Sequence, residues 1–211
     1  MFKVKCTLTA FEGDEKTYPC HFNYKIGDEF YYDGVNFTGR ICPGLLAPML
    51  PVVHGVYLLG NKYFENVMYR YRGHDARDPA MKKYDGAGFR PLEAPDLNTP
   101  KARDGHFVCG DTRTLAHFSC EAVDLSDSDY AQPFYRREIA ILGRIVKQPG
   151  IEAEKIIDKF TDFEKEKISP PLTPVLVGVL LDALVDMEYI EIRDGKAYTT
   201  GRKPPSKPKI G

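Results

Sequence analysis

The stretch Pro19–Pro51, PCHFNYKIGDEFYYDGVNFTGRICPGLLAPMLP, brings two cysteines, an Asp-Gly turn and a helix start into one short run. Within it, Lys25-Ile26-Gly27-Asp28-Glu29-Phe30 reads as a turn followed by a strand entry. Phe30-Tyr31-Tyr32-Asp33-Gly34-Val35 sets Asp-Gly between two β-prone segments, the strongest short-range hairpin signal in the chain. Pro43 has the fixed φ that suits a first helical position ahead of Leu45-Leu46-Ala47-Pro48-Met49-Leu50. Pro48 and Pro51 interrupt that run, which predicts one short helix or two turns, with Val52 to Leu59 continuing as an apolar segment. Cys20 thus stands before a strand and Cys42 at a helix N-terminus, where the helix dipole stabilises a thiolate.

Outward from this stretch, Phe2-Lys3-Val4-Lys5-Cys6-Thr7-Leu8 alternates like a half-buried strand and Gly13-Asp14 opens a turn back toward Cys20. Downstream, residues 62–104 change texture to YRYRGHDARDP, KKYDGAG and RPLEAPDLNTP, a loop-rich insertion without periodicity. GHFVCGDTRTLAHFSCEAVDL then predicts two strands joined by Gly110-Asp111-Thr112-Arg113, with His106 and Cys109 on one and His117 and Cys120 on the other. Residues 126–133 read as a polar linker. Ile139, Leu142, Ile145 and Val146 repeat at helical spacing up to Pro149-Gly150, and Ala153–Phe163 reads as a second helix. Thr173-Pro174 opens a third helix to about Met187, and a hairpin follows with its turn at Asp194-Gly195. The basic tail 202–211, RKPPSKPKIG, reads as mobile.

The pattern of Cys20, Lys25-Ile26-Gly27-Asp28-Glu29-Phe30, Gly39 to Cys42, and Cys109-Gly110-Asp111 before His117-Phe118 resembles an uncharacterised family of small bacterial proteins, abundant in anaerobes. The resemblance covers roughly residues 1–125 and implies where to look, not an activity. Three helices followed by a hairpin over residues 134–201 resemble a winged helix. The expected fold class is therefore α+β: a small β-rich N-terminal domain (1–125) with a short helix and a long loop insertion (62–104), a linker, and a winged-helix-like domain.

With 211 residues, 43% hydrophobic and 28% charged, the composition is that of a soluble globular protein. No apolar run reaches membrane-spanning length and the opening residues lack a signal-peptide core, so no membrane partner and a cytoplasmic location are expected. In that setting five cysteines read as thiols or ligands before disulfides. A net charge of −1 gives no general attraction for nucleic acid.

The sharpest chemical reading is one site built from Cys20, Cys42 and Cys109 with His117, or else Cys120, His21 or His106, as a further ligand, either holding zinc or iron or presenting a reactive thiol. Cys42 is the candidate nucleophile and Asp28 a candidate base, and Arg70 and Arg72 could hold a small anionic ligand bidentately. The competing reading is buried small hydrophobes and satisfied histidines. Between Phe134 and Gly201 ten Lys/Arg face twelve Asp/Glu, and the third helix offers no side chain for base edges. The expected function is a small-molecule or metal-dependent enzyme, or a subunit of one, whose C-terminal domain docks onto another protein or a second copy. The alternative is a ligand- or redox-sensing regulator that binds DNA through that domain.

Overall fold

A computed structural model describes residues 1–60 and 105–204. The expectations for Arg70, Arg72 and the insertion, and for the tail beyond 204, lie outside these residues. The fold mixes helices with antiparallel sheets and divides into two compact units, Phe2–Val123 and Met1 together with Asp124–Gly211.

The first unit is built on a five-stranded sheet of order β3-β2-β1-β5-β4. Its strands are β1 (Phe2–Phe11), β2 (Glu29–Tyr32), β3 (Phe37–Thr38), β4 (Gly105–Val108) and β5 (Ala116–Leu125). The alternation read in β1 is real: Phe2, Val4, Cys6 and Leu8 are buried while the residues between them are half-exposed. The hairpin also forms where Asp-Gly placed it, with Tyr31 facing Thr38 and Tyr32 facing Phe37. There the Asp33 carboxylate accepts from the backbone of Val35 and Asn36 at 2.9 and 2.7 Å.

The prolines do not break the helix as the sequence suggested. A three-residue 3₁₀ turn, Pro43–Leu45, runs into one helix, α1 (Leu46–Leu59). Pro48 sits in the first turn, where its missing N–H would have no partner in any case. Pro51 costs about 3 kcal/mol in a helix interior. Against that, Met49, Val52, Val53, Val56 and Tyr57 are buried along one face packed on β1 and β4. At about 1.5–3 kcal/mol per side chain this burial outweighs the loss.

The second unit contains α2 (Gln132–Lys147), β6 (Ile151–Glu152), a 3₁₀ segment (Ala153–Lys159), α3 (Asp162–Glu166), α4 (Pro174–Asp186), β7 (Ile190–Arg193) and β8 (Lys196–Thr199). Its sheet has the order β6-β8-β7. Thr173 caps α4, accepting from Leu176 N at 3.1 Å. The hairpin turn is of the two-residue kind with positive φ at both positions, 50° at Asp194 and 71° at Gly195.

Three readings change here. The second helix is a 3₁₀ segment and a one-turn helix separated by extended Phe160, because Thr161 and Glu164 form a capping box that starts a new helix. Residues 126–133 are no free linker: Ser126 is 1% exposed, its hydroxyl meets that of Ser128 at 3.0 Å, and α2 begins at Gln132. The start of the tail is docked, since Arg202 donates to Met187 O at 2.6 Å and covers the Tyr189 ring.

On α2, Glu138 is 1% exposed, and burial pushes its carboxyl up to about 7, offset in part by the Met1 amino group 4.0 Å away. The folded unit therefore holds a proton that the unfolded chain releases near 4.5. Stability from this group is full below that value and is lost as pH rises through about 7. Glu138→Gln, always neutral, should remove this slope and exceed the wild type at pH 8 by up to about 3 kcal/mol in urea denaturation. Equal stabilities at pH 5 and pH 8 in both proteins would show that Glu138 is ionised at no cost.

Candidate functional site

Three separate segments bring Cys20, Cys42 and Cys109 to one cavity of about 140 Å³, which is also lined by His21, Phe22, Tyr24, Asp111 and Thr114. Cys20 opens a turn closed by Asn23 N donating to Cys20 O at 2.8 Å, with Asn23 in the left-handed region at φ 54°. Cys42 precedes the 3₁₀ turn, its carbonyl accepting from Leu45 N at 2.9 Å. Cys109 follows β4, where its N–H donates to Ala116 O at 2.9 Å.

Tyr24 ties these segments together. Its ring packs edge-on against Phe118 of β5 at 5.5 Å. Its hydroxyl donates to Arg40 O at 2.8 Å and accepts from Cys42 N at 3.0 Å. Burial raises its pKa, so the phenol stays neutral.

The thiols are not equivalent. Cys109 Sγ accepts from Ala116 N at 3.1 Å and donates toward Asp111 O at 3.6 Å. Burial pushes the Cys109 thiol up, which keeps its proton on. Cys20 and Cys42 remain as the nucleophile candidates. Asp111 stays ionised, because hydrogen bonds from Arg113 hold its carboxyl below the usual range. Thr114 Oγ1 lies 3.3 Å from the other Asp111 carboxylate oxygen and 3.1 Å from Tyr18 O, and its one proton serves these two acceptors. Leu115, next in the chain, is held at φ 48°, an uncommon conformation for a residue with a Cβ. Two loops thus grip the Cys109 segment.

Several expected site residues lie elsewhere. His117 does not join the cysteines: on β5, Ala116 lines the cavity and the next side chain must point to the opposite face. There its Nδ1 lies 3.4 Å from Thr9 Oγ1 and 3.6 Å from Glu12 Oε1, and its ring stacks on His106 at 5.1 Å. Asp28 is a turn acceptor, taking Lys25 N at 2.9 Å, and is not among the lining residues. Cys42 caps the 3₁₀ turn and not α1, whose N-cap is Leu45, so the dipole of the long helix begins three residues further on. Among the described residues no three His, Cys, Asp or Glu groups are placed to hold a metal ion.

Sequence reasoning missed Tyr24 and Thr114. Thr114 had a signal, since Asp111-Thr112-Arg113-Thr114 is a turn in which an Asp side chain accepts from residues further on. Tyr24 had none, because its role depends on Arg40 and Cys42 being adjacent in space. No protein-family model, curated protein or solved structure gives a significant match to this chain.

Proposed function

We propose that the first unit binds a small, neutral, thiol-reactive molecule between Cys20, Cys42 and Cys109, and that the protein acts on it through thiol chemistry. The observation that carries this reading is the meeting of three cysteines from distant segments at one cavity. Chance burial of small hydrophobes would not require a shared opening. Its volume of about 140 Å³ is close to the roughly 150 Å³ that admits a benzene ring. Phe22, Tyr24 and Leu45 supply apolar walls, while Asp111 and Thr114 are engaged with their own loop. In the step envisaged, the sulfur of Cys20 or Cys42 adds to the ligand and the protonated Cys109 stands as the neighbouring proton source. Limited reaction of the folded protein with N-ethylmaleimide, followed by peptide mapping, tests this. Label should fall on Cys20, Cys42 or Cys109, and label on Cys6 or Cys120 at equal rate would refute it.

The second unit serves, in this proposal, as a winged-helix-like docking element. Support comes from its order of helix, strand, two helices and hairpin. On α4 the outward face carries Val175, Val179 and Val185, 78%, 58% and 37% exposed, interrupted by Asp182. A face of that composition suits another protein surface or a second copy of the chain, whereas phosphate contact needs cations. The full-length protein should therefore bind a random duplex no better than about 10⁻⁵ M at physiological salt. Nanomolar, strongly salt-dependent binding would favour the regulator reading instead.

A further inference from the structure

Outside the cavity, the two remaining cysteines stand together. Cys6 on β1 and Cys120 on β5 are both fully buried, and their sulfurs lie 3.2 Å apart. The strands run antiparallel: Ser126 N donates to Met1 O at one end and Glu12 N to Leu115 O at the other. Both side chains point to the face that α1 covers, alongside Val4, Leu8 and Phe118.

We infer that Cys6 and Cys120 are a redox-sensitive dithiol that a peroxide closes into a disulfide joining β1 to β5. A disulfide needs sulfurs about 2.05 Å apart and Cβ atoms about 3.5–4.5 Å apart. With the sulfurs already 3.2 Å apart, closure asks for an approach of about 1 Å. One sulfur, as thiolate, attacks a peroxide oxygen; the O–O bond breaks, hydroxide leaves and a sulfenic acid forms. The second sulfur attacks the first, the S–O bond breaks, and water leaves as the S–S bond forms. Two electrons pass from the sulfurs to the peroxide, and two thiols with one hydrogen peroxide give one disulfide and two waters.

Full burial means that the oxidant arrives through local opening of the sheet, so closure is slow compared with reaction at the cavity thiols. Once made, the bond joins residues 114 positions apart, a long loop whose constraint in the unfolded chain stabilises the folded one. The protein would thus carry a record of oxidative exposure separate from its ligand site.

The test uses the full-length protein treated with hydrogen peroxide, quenched by alkylation in denaturant and mapped without reductant. The expected product is one cross-link between the Cys6 and Cys120 peptides, with a thermal midpoint several degrees higher that dithiothreitol reverses. Cys6→Ala and Cys120→Ala should each abolish the cross-link and the shift, leaving the remaining partner reduced. The inference is overturned if both thiols stay alkylatable after the cavity cysteines have been oxidised. Separate sulfinic or sulfonic acids at the two positions would overturn it equally. Because the mapping is done on the wild-type protein, a variant that fails to fold does not decide the matter.

Discussion

Replacing Arg137 by methionine should unfold the C-terminal unit more readily than any other single change to its polar groups. Arg137 sits on α2 with 4% of its surface exposed. Its Nε donates to Pro170 O at 3.0 Å, and its Nη2 to Glu164 O at 2.7 Å, to Pro170 O at 2.8 Å and to Ile168 O. Glu164 belongs to α3, and Ile168 and Pro170 to the connection between α3 and α4, a segment with no ladder of its own. One guanidinium therefore satisfies the backbone that fixes where α4 begins. Hydrogen bonds to a charged group contribute about 1.5–3 kcal/mol each, and a carbonyl left buried without a donor costs about 1–3 kcal/mol. Arg137→Met should lose roughly 3–5 kcal/mol in urea denaturation, or roughly 15 °C or more in midpoint for a unit of this size. Arg137→Lys should recover only part, since an ammonium cannot span three carbonyls as a planar fork does. A loss below about 1 kcal/mol for the methionine variant would mean that water replaces the guanidinium without cost.

The second large effect concerns the loop that carries Cys109. A Cβ at Gly13 would lie 1.9 Å from Arg113 O and 2.8 Å from Thr114 C, both backbone atoms that no rotamer change can move. The two segments are held by Glu12 N to Leu115 O at 3.0 Å, Gly13 N to Thr114 O at 3.1 Å and Asp14 N to Arg113 O at 2.9 Å. Gly13→Ala must therefore break bonds in this set or displace the loop of residues 109–115. Overpacking costs about 1–3 kcal/mol and each lost backbone bond about 1 kcal/mol, so a loss of roughly 3 kcal/mol is expected. The displaced loop should also change the reactivity of Cys109, whose Sγ depends on Ala116 N. A variant within about 0.5 kcal/mol of the wild type, with Cys109 unchanged, would show that this contact is slack.

How much of this was legible beforehand depended on whether the signal was local. Strands β1 to β3 and the β7–β8 hairpin follow from period-two alternation and from Asp-Gly turns, because a turn needs only its own residues. Thr173-Pro174 marked the start of α4 for the same reason. The continuous α1 was hidden, since two prolines argue against a helix locally and only burial on β1 and β4 reverses the balance. The gathering of Cys20, Cys42 and Cys109 was expected, but the exclusion of His117 follows from strand alternation that the ligand reading ignored. Arg137 carried no local signal at all, because its partners lie in another segment.

The reading of the first unit stands on three thiols sharing one small space, and the stoichiometry of alkylation measures that directly. The folded protein is treated with excess N-ethylmaleimide and its intact mass followed with time. With a cavity of about 140 Å³, the first adduct should fill the site, so that one label adds quickly and further labels at Cys20, Cys42 or Cys109 come at least about tenfold more slowly, a barrier difference of about 1.4 kcal/mol. Cys6 and Cys120, both fully buried, should be labelled far more slowly, through local opening of the sheet. Three labels arriving at independent, similar rates would contradict the shared cavity, and with it the proposed ligand site.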